Sequence, residues 1–484
     1  MRGIIAYGTY VPYHRLQRAA IGESLGGGGG RGTRSVASYD EDATSMAVEA
    51  GRAVVANATA NAPAGTDPVT PDSVYFATVT PPYLDKTNAT VIHAALDLPS
   101  HVFAGDVAGS ARSVNAALRS ALEGRRPALV LAADVRSGRP GSGDEGATGD
   151  AAVGWLIGSD DDGPVIAEWL GGASRTAEFL DRWRLPGWDY SRVWEERFGE
   201  HAYLPLVTEA AAAAFADCGL SPDQVDTVIV SGLHGRAVRG AARAAGVDAG
   251  RVADSMVDVI GNTGSSQAGM ILASVLDDAA PGSTVMVIHL ADGVDVGFYR
   301  TTDAIAGYRP ASTVADQVAA GVEGLDYATF LTWRGFLNRE PPRRPDPEAP
   351  AAPPSFRAEE WKYAFIGSRD RSTGAIHLPP QRVSLRGGAV DDMEPVPMAD
   401  VPSTVVTYTI DRLAFSLSPP VIAVVIDFDG GGRFQCELTD ADPDTVKIGD
   451  RVGMTFRRLL TADGVHNYFW KARPLGDAAP TSGG

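Results

Sequence analysis

Only two cysteines, Cys218 and Cys436, occur in the 484 residues of this chain. They lie too far apart, in too different a context, to suggest a disulfide scaffold, and a reducing, cytoplasmic compartment fits. No apolar run approaches the roughly 20 residues needed to cross a bilayer. The N-terminus also lacks a charged-then-apolar signal pattern; residues 3–11 read as a strand instead. Positive charge is in deficit. With 42 Lys and Arg against 60 Asp and Glu, the net charge of −18 argues against nucleic acid or an anionic membrane as a partner of the whole protein. His93, His101, His201 and His289 have no metal-ligand spacing with one another or with cysteine, and read as structural residues. What remains, 44% hydrophobic and 21% charged residues, is the composition of an ordinary soluble protein long enough for two or three domains.

From residue 1 to about 165, apolar strand candidates alternate with Ala-rich helical runs. The strands fall at 3–7, 73–78, 101–103, 128–133 and 151–158, the helices at 42–60, 88–96 and 111–122. This alternation argues a layered α/β domain. A second series follows to about 305, with strands at 227–231 and 284–290 and helices at 238–245 and 267–276, separated by the turn Ile260-Gly261-Asn262-Thr263-Gly264. The run Gly26–Gly30 reads as a flexible loop rather than a phosphate cradle, because no Lys-Ser/Thr follows it and it precedes no strand–helix junction.

The stretch Gly105-Asp106-Val107-Ala108-Gly109-Ser110-Ala111-Arg112-Ser113 organises the rest. Small residues let the backbone turn tightly and leave one side chain exposed at a helix N-terminus, a position that suits a nucleophilic thiolate. No cysteine is present there. The segments 3–12 and 36–50 resemble hydroxymethylglutaryl-CoA synthases, which belong with ketoacyl synthase III in the thiolase superfamily. So do Phe179-Leu180-Asp181-Arg182-Trp183-Arg184 and Arg197-Phe198-Gly199-Glu200-His201-Ala202-Tyr203. The resemblance implies a duplicated, five-layered thiolase-like sandwich with the active site between its halves. It also places the family's residues. The nucleophilic Cys, five residues after an Asp that looks like Asp106, falls on Ala111; the catalytic His falls on Ser231; the Glu general acid/base falls on Val79. His234 stands where the family has an Asn, and the later Gly-Asn matches Gly261-Asn262. A methyl group cannot form a thioester, and Ser110 is one residue out of register. Three replacements together imply that the Claisen-type reaction is gone. His234 and Asn262 have local structural roles as alternatives to catalytic ones. Arg112, opening the central helix, could contact a CoA phosphate or a partner carboxylate, or simply form a salt bridge.

Composition changes between 336 and 357, where Pro341-Pro342-Arg343-Arg344-Pro345-Asp346-Pro347 reads as an extended linker. Beyond it, β-patterned runs at 404–410, 421–428, 432–438 and 451–458, with a hairpin turn at Asp429-Gly430-Gly431-Gly432, suggest a small all-β barrel. Trp361-Lys362-Tyr363-Ala364-Phe365, His377-Leu378-Pro379-Pro380-Gln381-Arg382-Val383 and Asn467-Tyr468-Phe469-Trp470-Lys471 resemble the zinc-ribbon/OB-fold proteins that accompany thiolases. The four zinc-ligand positions of that ribbon fall on Asp370, Thr373, Ser384 and Gly387, which offer no soft donors, so no zinc is expected. Packing of Trp361, Phe365 and Leu378 would hold the loop instead. Phe469 and Trp470 are open between barrel core and partner surface.

The expected domains are two thiolase-like halves (1–165 and 166–335), the linker (336–357), a degenerate ribbon (358–388), an OB fold (389–475) and a disordered tail (476–484). Two functions follow from the resemblance. One is a non-catalytic acyl-CoA-binding or scaffolding subunit in acyl-CoA metabolism, a homodimer through its thiolase-like half that partners a separate thiolase-fold enzyme. The other is an active acyltransferase using a displaced hydroxyl such as Ser110 with His234 as base. The CoA thioester is the expected ligand in either case.

Overall fold

The computed structural model describes residues 1–343, 345 and 347–475; Arg344 and Asp346 of the linker, and the whole tail expected at 476–484, lie outside them. The chain forms two compact units. One comprises Met1–Ser38, Asp42–Ile92 and Pro99–Leu337, the other Tyr39–Glu41, His93–Leu98 and the chain from Asn338 onward. No helix among the described residues is long and apolar enough to cross a membrane.

The first unit is built on nine strands in the order Thr227–Gly232, Thr284–Leu290, Gly293–Thr301, Ala167–Thr176, Arg2–Tyr10, Ala151–Ser159, Ala128–Asp134, Ser73–Thr78 and Phe103–Ala108. Pairing outward from Arg2–Tyr10 runs antiparallel, antiparallel, then parallel. Pairing outward from Ala167–Thr176 repeats the same sequence. The duplication read from the sequence is thus visible strand by strand. The two half-sheets meet only where Gly3 pairs with Glu168 and Ile4 with Ala167.

Helices fill both faces of each half-sheet. Asp42 starts the helix Ala43–Ala60 with a reciprocal cap to Ser45. A Cβ on Gly154 would meet Val54 of that helix, whereas a Cβ on Gly269 of the helix Gln267–Asp277 would meet Trp155 and Val153. Successive strand residues point to opposite faces, so these two helices lie on opposite sides of the N-terminal half-sheet. Gln267–Asp277 also packs on strands of the C-terminal half-sheet, so it lies between the two. Met286, Ile288 and Leu290 point the other way, into a core with Tyr203, Val207 and Ala241 of the helices Glu196–Cys218 and Gly235–Ala244. The result is the expected five layers.

Some local expectations differ. The strand read at 101–103 runs over Phe103–Ala108, through Gly105 and Asp106, because it pairs in parallel with Ser73–Thr78. The helix read from 111 begins at Ser113, leaving Ala111 on the preceding turn. Within the exposed Gly26–Gly30 run one residue is closely packed: a Cβ on Gly29 would fall 1.9 Å from the Arg18 carbonyl oxygen, whereas Gly26, Gly27 and Gly30 have open space around them. The linker holds a helical turn, Ala352–Arg357, that proline at its start permits.

In the second unit, Ser403–Asp411, Val421–Phe428, Arg433–Leu438, Val465–Pro474 and Arg451–Ala462 close a five-stranded barrel. Burial alternates strictly along Val421–Phe428, as a barrel wall requires. A small sheet precedes it, in which Ile366–Asp370 pairs with Ile376–His377 and with Met393–Pro397. Trp361 stacks on Phe365 with centroids 4.9 Å apart, and Phe365 meets Phe434 and Phe469. Trp470 is 1% exposed and its indole N–H donates to the Tyr363 carbonyl at 2.9 Å. Both aromatics left open by the sequence are therefore used within the unit.

Candidate functional site

Asp106 begins the site from below. Its carboxylate accepts hydrogen bonds from the Asn88 and Ala89 backbone N–H groups and from Asn88 Nδ2, at 2.7 to 2.9 Å, so the strand before the central turn fixes the segment that follows Val79. Beyond it, Gly109 takes φ +135°, a left-handed value that glycine adopts without strain. Ser110 and Ala111 follow on the turn, and Ser113 opens the helix.

These residues border a cavity of about 410 Å³ whose lining includes Val79, Ser110, Ala111, Ser231 and Asn262. Residues separated by up to 183 positions in sequence thus meet at one hollow. A second hollow, of about 1020 Å³, shares Ser231 and Asn262 with it and also takes in His234.

The chemistry at this convergence is sparse. Ala111 has no functional group. Val79 contributes its backbone, donating to Asp134 Oδ1 at 2.8 Å and accepting from Arg184 at 2.7 Å. Ser231 Oγ is buried with no hydrogen-bond partner among the described residues. The Ser110 hydroxyl accepts from the Arg112 backbone N–H at 3.3 Å, a local turn contact with no base in the hydrogen bond. Asn262 spends its amide on the backbone: Nδ2 donates to Gly232 O at 2.8 Å and Oδ1 accepts from Gly264 N at 3.0 Å.

His234 is held elsewhere. Its Nε2 bonds to Asp181, whose other oxygen accepts from the Tyr203 hydroxyl. Burial and the neighbouring Asp181 push the Tyr203 phenol up, so it stays a donor. Gly199 makes room for the imidazole, since a Cβ there would come within 2.2 Å of it. Arg112 is likewise committed. It forks onto Asp295 at 2.8 and 3.2 Å and donates to the Asp292 carbonyl at 2.8 Å, and it is not among the residues lining the cavity.

Two groups escaped the sequence reading. His289 lines the cavity and accepts at Nδ1 from Asn115 Nδ2, at 2.9 Å. Burial lowers its pKa to about 4, so it is neutral at pH 7, with its proton on Nε2. Arg136 also lines the cavity, together with Arg182 and Arg184. Of these only Arg182 and Arg184 lie in a local motif, Phe179-Leu180-Asp181-Arg182-Trp183-Arg184.

In the second unit, the four degenerate zinc positions do converge. Asp370 is buried and accepts from Thr373 Oγ1 at 2.7 Å, from Ser372 Oγ at 2.7 Å and from Ser372 N at 2.8 Å. Hydrogen bonds from Ser384, Thr373 and Ser372 hold its carboxyl well below the usual range. A Cβ on Gly387 would lie 3.0 Å from Asp370 Oδ2. Among the described residues no group of three or more His, Cys, Asp or Glu is placed to hold a metal.

Comparison with known proteins places both units. The hydroxymethylglutaryl-CoA synthase of Methanopyrus kandleri is 28% identical over 343 residues, covering 68% of this chain and 95% of that one. The enzyme of Caldivirga maquilingensis is 28% identical over 351 residues, 69% and 98% of the two chains. Among solved structures, a hydroxymethylglutaryl-CoA synthase complexed with CoA matches with a TM-score of 0.58 at 16% identity, over 68% of this chain and 89% of that one. The 3-oxoacyl-[acyl-carrier-protein] synthase III of Aquifex aeolicus matches at 0.53 and 18% identity, over 62% and 100%. A family model for the C-terminal OB-fold domain of ChsH2 matches residues 396–457. The chain is therefore similar in sequence to hydroxymethylglutaryl-CoA synthases, has the thiolase-type fold, and carries an OB-fold barrel after it.

Proposed function

We propose that this chain is a non-catalytic, acyl-CoA-binding subunit that partners a separate thiolase-fold enzyme. The carrying observation is the makeup of the 410 Å³ cavity. Its walls bring together the positions at which the resemblance places a nucleophile, a base and a general acid, and they are occupied by Ala111, Ser231 and Val79. The hollow has been kept while its reactive groups are gone. A protein that needed neither ligand nor chemistry would have no reason to keep buried polar atoms such as Ser231 Oγ unpaired around an open space. The reading as an acyltransferase through Ser110 gains no support from a hydroxyl that accepts from a neighbouring backbone N–H, or from a His234 bound to Asp181.

Association belongs to the same proposal. Phe103–Ala108 is the last strand of the nine and Phe103 is 59% exposed, so one edge of the sheet offers its backbone to a second copy. The test takes the full chain with acetyl-CoA. Calorimetry should detect CoA-thioester binding, intact-mass spectrometry should detect no acetyl adduct, and light scattering should give a dimer that co-elutes with a thiolase from the host. An acetyl adduct mapped to Ser110 would overturn the non-catalytic reading. A monomer that binds no host thiolase would overturn the scaffold role.

A further inference from the structure

A third hollow lies apart from the two already described. It is formed by the helices Ser113–Leu122 and Gln267–Asp277 and by the paired strands Ala167–Thr176 and Gly293–Thr301, with Trp155 contributed by the other half-sheet. Its volume is about 70 Å³, more than packed interiors usually leave between layers. The walls are set by glycines. A Cβ on Gly269 would lie 1.9 Å from the Trp155 ring, and one on Gly297 would lie 2.5 Å from the Trp169 ring, so each indole sits in a notch that a larger residue would fill. Trp169 meets Tyr299 edge to face, with centroids 5.0 Å apart. Rings held in this way do not swing in to close the space.

The lining is mostly apolar, with Leu118, Leu122 and Leu272 beside the rings. Its polar rim is committed to itself. Asn115 Nδ2 donates to Asp295 Oδ2 and to His289 Nδ1, each at 2.9 Å. Ser174 Oγ accepts from Arg119 at 2.9 Å and donates to Asp295. Trp155 is the exception: it is 1% exposed, and its indole N–H has no partner among the described residues. No other residue of this lining has a buried side-chain polar atom left unpaired among the described residues. An indole N–H donates and does not accept, and leaving it bare in an apolar wall costs the desolvation of the group. Burial alone pushes the Tyr299 phenol up, which keeps a second, protonated hydroxyl on the same lining.

We propose that this hollow binds a small neutral carbonyl compound, such as a short ketone or ester, whose oxygen accepts from Trp155 Nε1 while its alkyl groups face Leu118, Leu122 and Leu272. The volume sets the size at about four or five non-hydrogen atoms, since an engineered apolar cavity of about 150 Å³ takes benzene. A peptide segment has no room there, and with Asp295 and Arg119 already engaged no free charge on the wall recruits an ion. The site does not rest on the acyl-CoA reading, which concerns the 410 Å³ cavity; the two linings share only His289.

The experiment titrates the full chain, isotopically labelled at the indole nitrogens of its eight tryptophans, with butanone and with the alkene of the same shape, in which a methylene group replaces the oxygen. Indole N–H resonances are followed by NMR, and Trp155→Phe identifies the Trp155 signal by its loss. In the wild type that signal should move downfield with butanone, with a Kd on the order of 1 mM, and should show no such shift with the alkene, which has no acceptor. Leu118→Phe, which fills the hollow from the helix, should weaken the butanone response by roughly tenfold or more. A Trp155 signal unmoved by butanone, an equal downfield shift with the alkene, or a butanone response undiminished in Leu118→Phe overturns the proposal. If Trp155→Phe does not fold, the wild-type signals decide with Leu118→Phe alone. A signal that answers butanone but not the alkene, and loses its response in Leu118→Phe, supports the site, and the absence of any such signal overturns it.

Discussion

At the scale of single residues, the proposed placing of Ala111, Ser231 and Val79 at the reactive positions makes a specific statement about restoring them. Ala111→Cys would place a thiol on the turn before Ser113, where small neighbours admit it. Turnover should still be undetectable by CoA release with acetyl-CoA and acetoacetyl-CoA. On the proposed register the base position remains Ser231 and the acid position Val79, and groups that act as a unit do not return activity one at a time. Measurable hydroxymethylglutaryl-CoA from the single variant would mean that His234 or His289 already serves as base. That Ala111, Ser231 and Val79 border one cavity fits a reading made from short flanking features, Asp106 for Ala111, Gly246 for Ser231 and Pro82-Tyr83 with Lys86 for Val79. Arg136 and His289 had no such feature. Each belongs to an ordinary strand or strand end, and only the parallel pairing of Ser231 with His289, or the fold of Gly264 over Arg136, gives them a cavity to face.

At the scale of elements, strands with alternating or continuous apolar residues were read nearly to the residue, as at Ser73–Thr78, Val421–Phe428 and Thr284–Leu290. Phe103–Ala108 was shortened to its start because Gly105 and Asp106 signal a turn. That signal lost to parallel pairing and to a carboxylate whose bonds go to another segment. The ribbon carries the testable case. Asp370 lies at the centre of a hydroxyl cluster, and we propose that these hydrogen bonds take the place of a metal. Asp370→Ala should lower the thermal midpoint on the order of a few °C, with Asp370→Asn smaller in effect, and added zinc or chelator should change neither midpoint. The pH dependence has a definite sign. A carboxyl whose folded pKa is depressed contributes stability that is present above its unfolded value, about 3.9, and lost as pH falls through the folded value. The gap between wild type and Asp370→Ala should therefore be widest near neutrality and shrink below about pH 4. A gap that widened on acidification, or a midpoint raised by zinc, would contradict the hydrogen-bonded ribbon.

At the scale of the whole molecule, the second unit is not a continuous piece of chain, and its stability should depend on three residues far from the rest in sequence. Tyr39–Glu41 belongs to it. There, the fully buried Arg457 pairs with Glu41 at 2.9 Å, with Asp40 at 3.5 Å and with Asp440. Lys471 pairs with Asp40 at 2.8 Å and with Glu437 at 2.7 Å, and lies over the Tyr39 ring at 5.1 Å. Burial opposes the charge on Lys471, but Asp40, Tyr39 and Glu437 outweigh it and raise its pKa. Nothing in the sequence around Asp40 marks it as a partner of residues more than 400 positions later, because such a pair leaves no local pattern. A fragment starting at Asn338 would keep Asp440 and Glu437 but lose Asp40 and Glu41, leaving two buried cations short of counter-charge. Removing one side of a buried ion pair costs about 3 to 5 kcal/mol, a large share of the stability of a barrel this size. The fragment should therefore unfold at lower urea than the same unit within the full chain. Arg457→Met in the fragment should recover part of the loss, because an apolar side chain of similar volume needs no partner. In the full chain, where the acids are present, the same substitution would take a buried cation away from Asp40, Glu41 and Asp440 and should destabilise. Urea titrations of the four proteins, followed by Trp470 fluorescence in single-tryptophan backgrounds, read both signs. A fragment as stable as the intact unit, or an Arg457→Met substitution acting in the same direction in both contexts, would mean that the N-terminal carboxylates contribute nothing to the barrel.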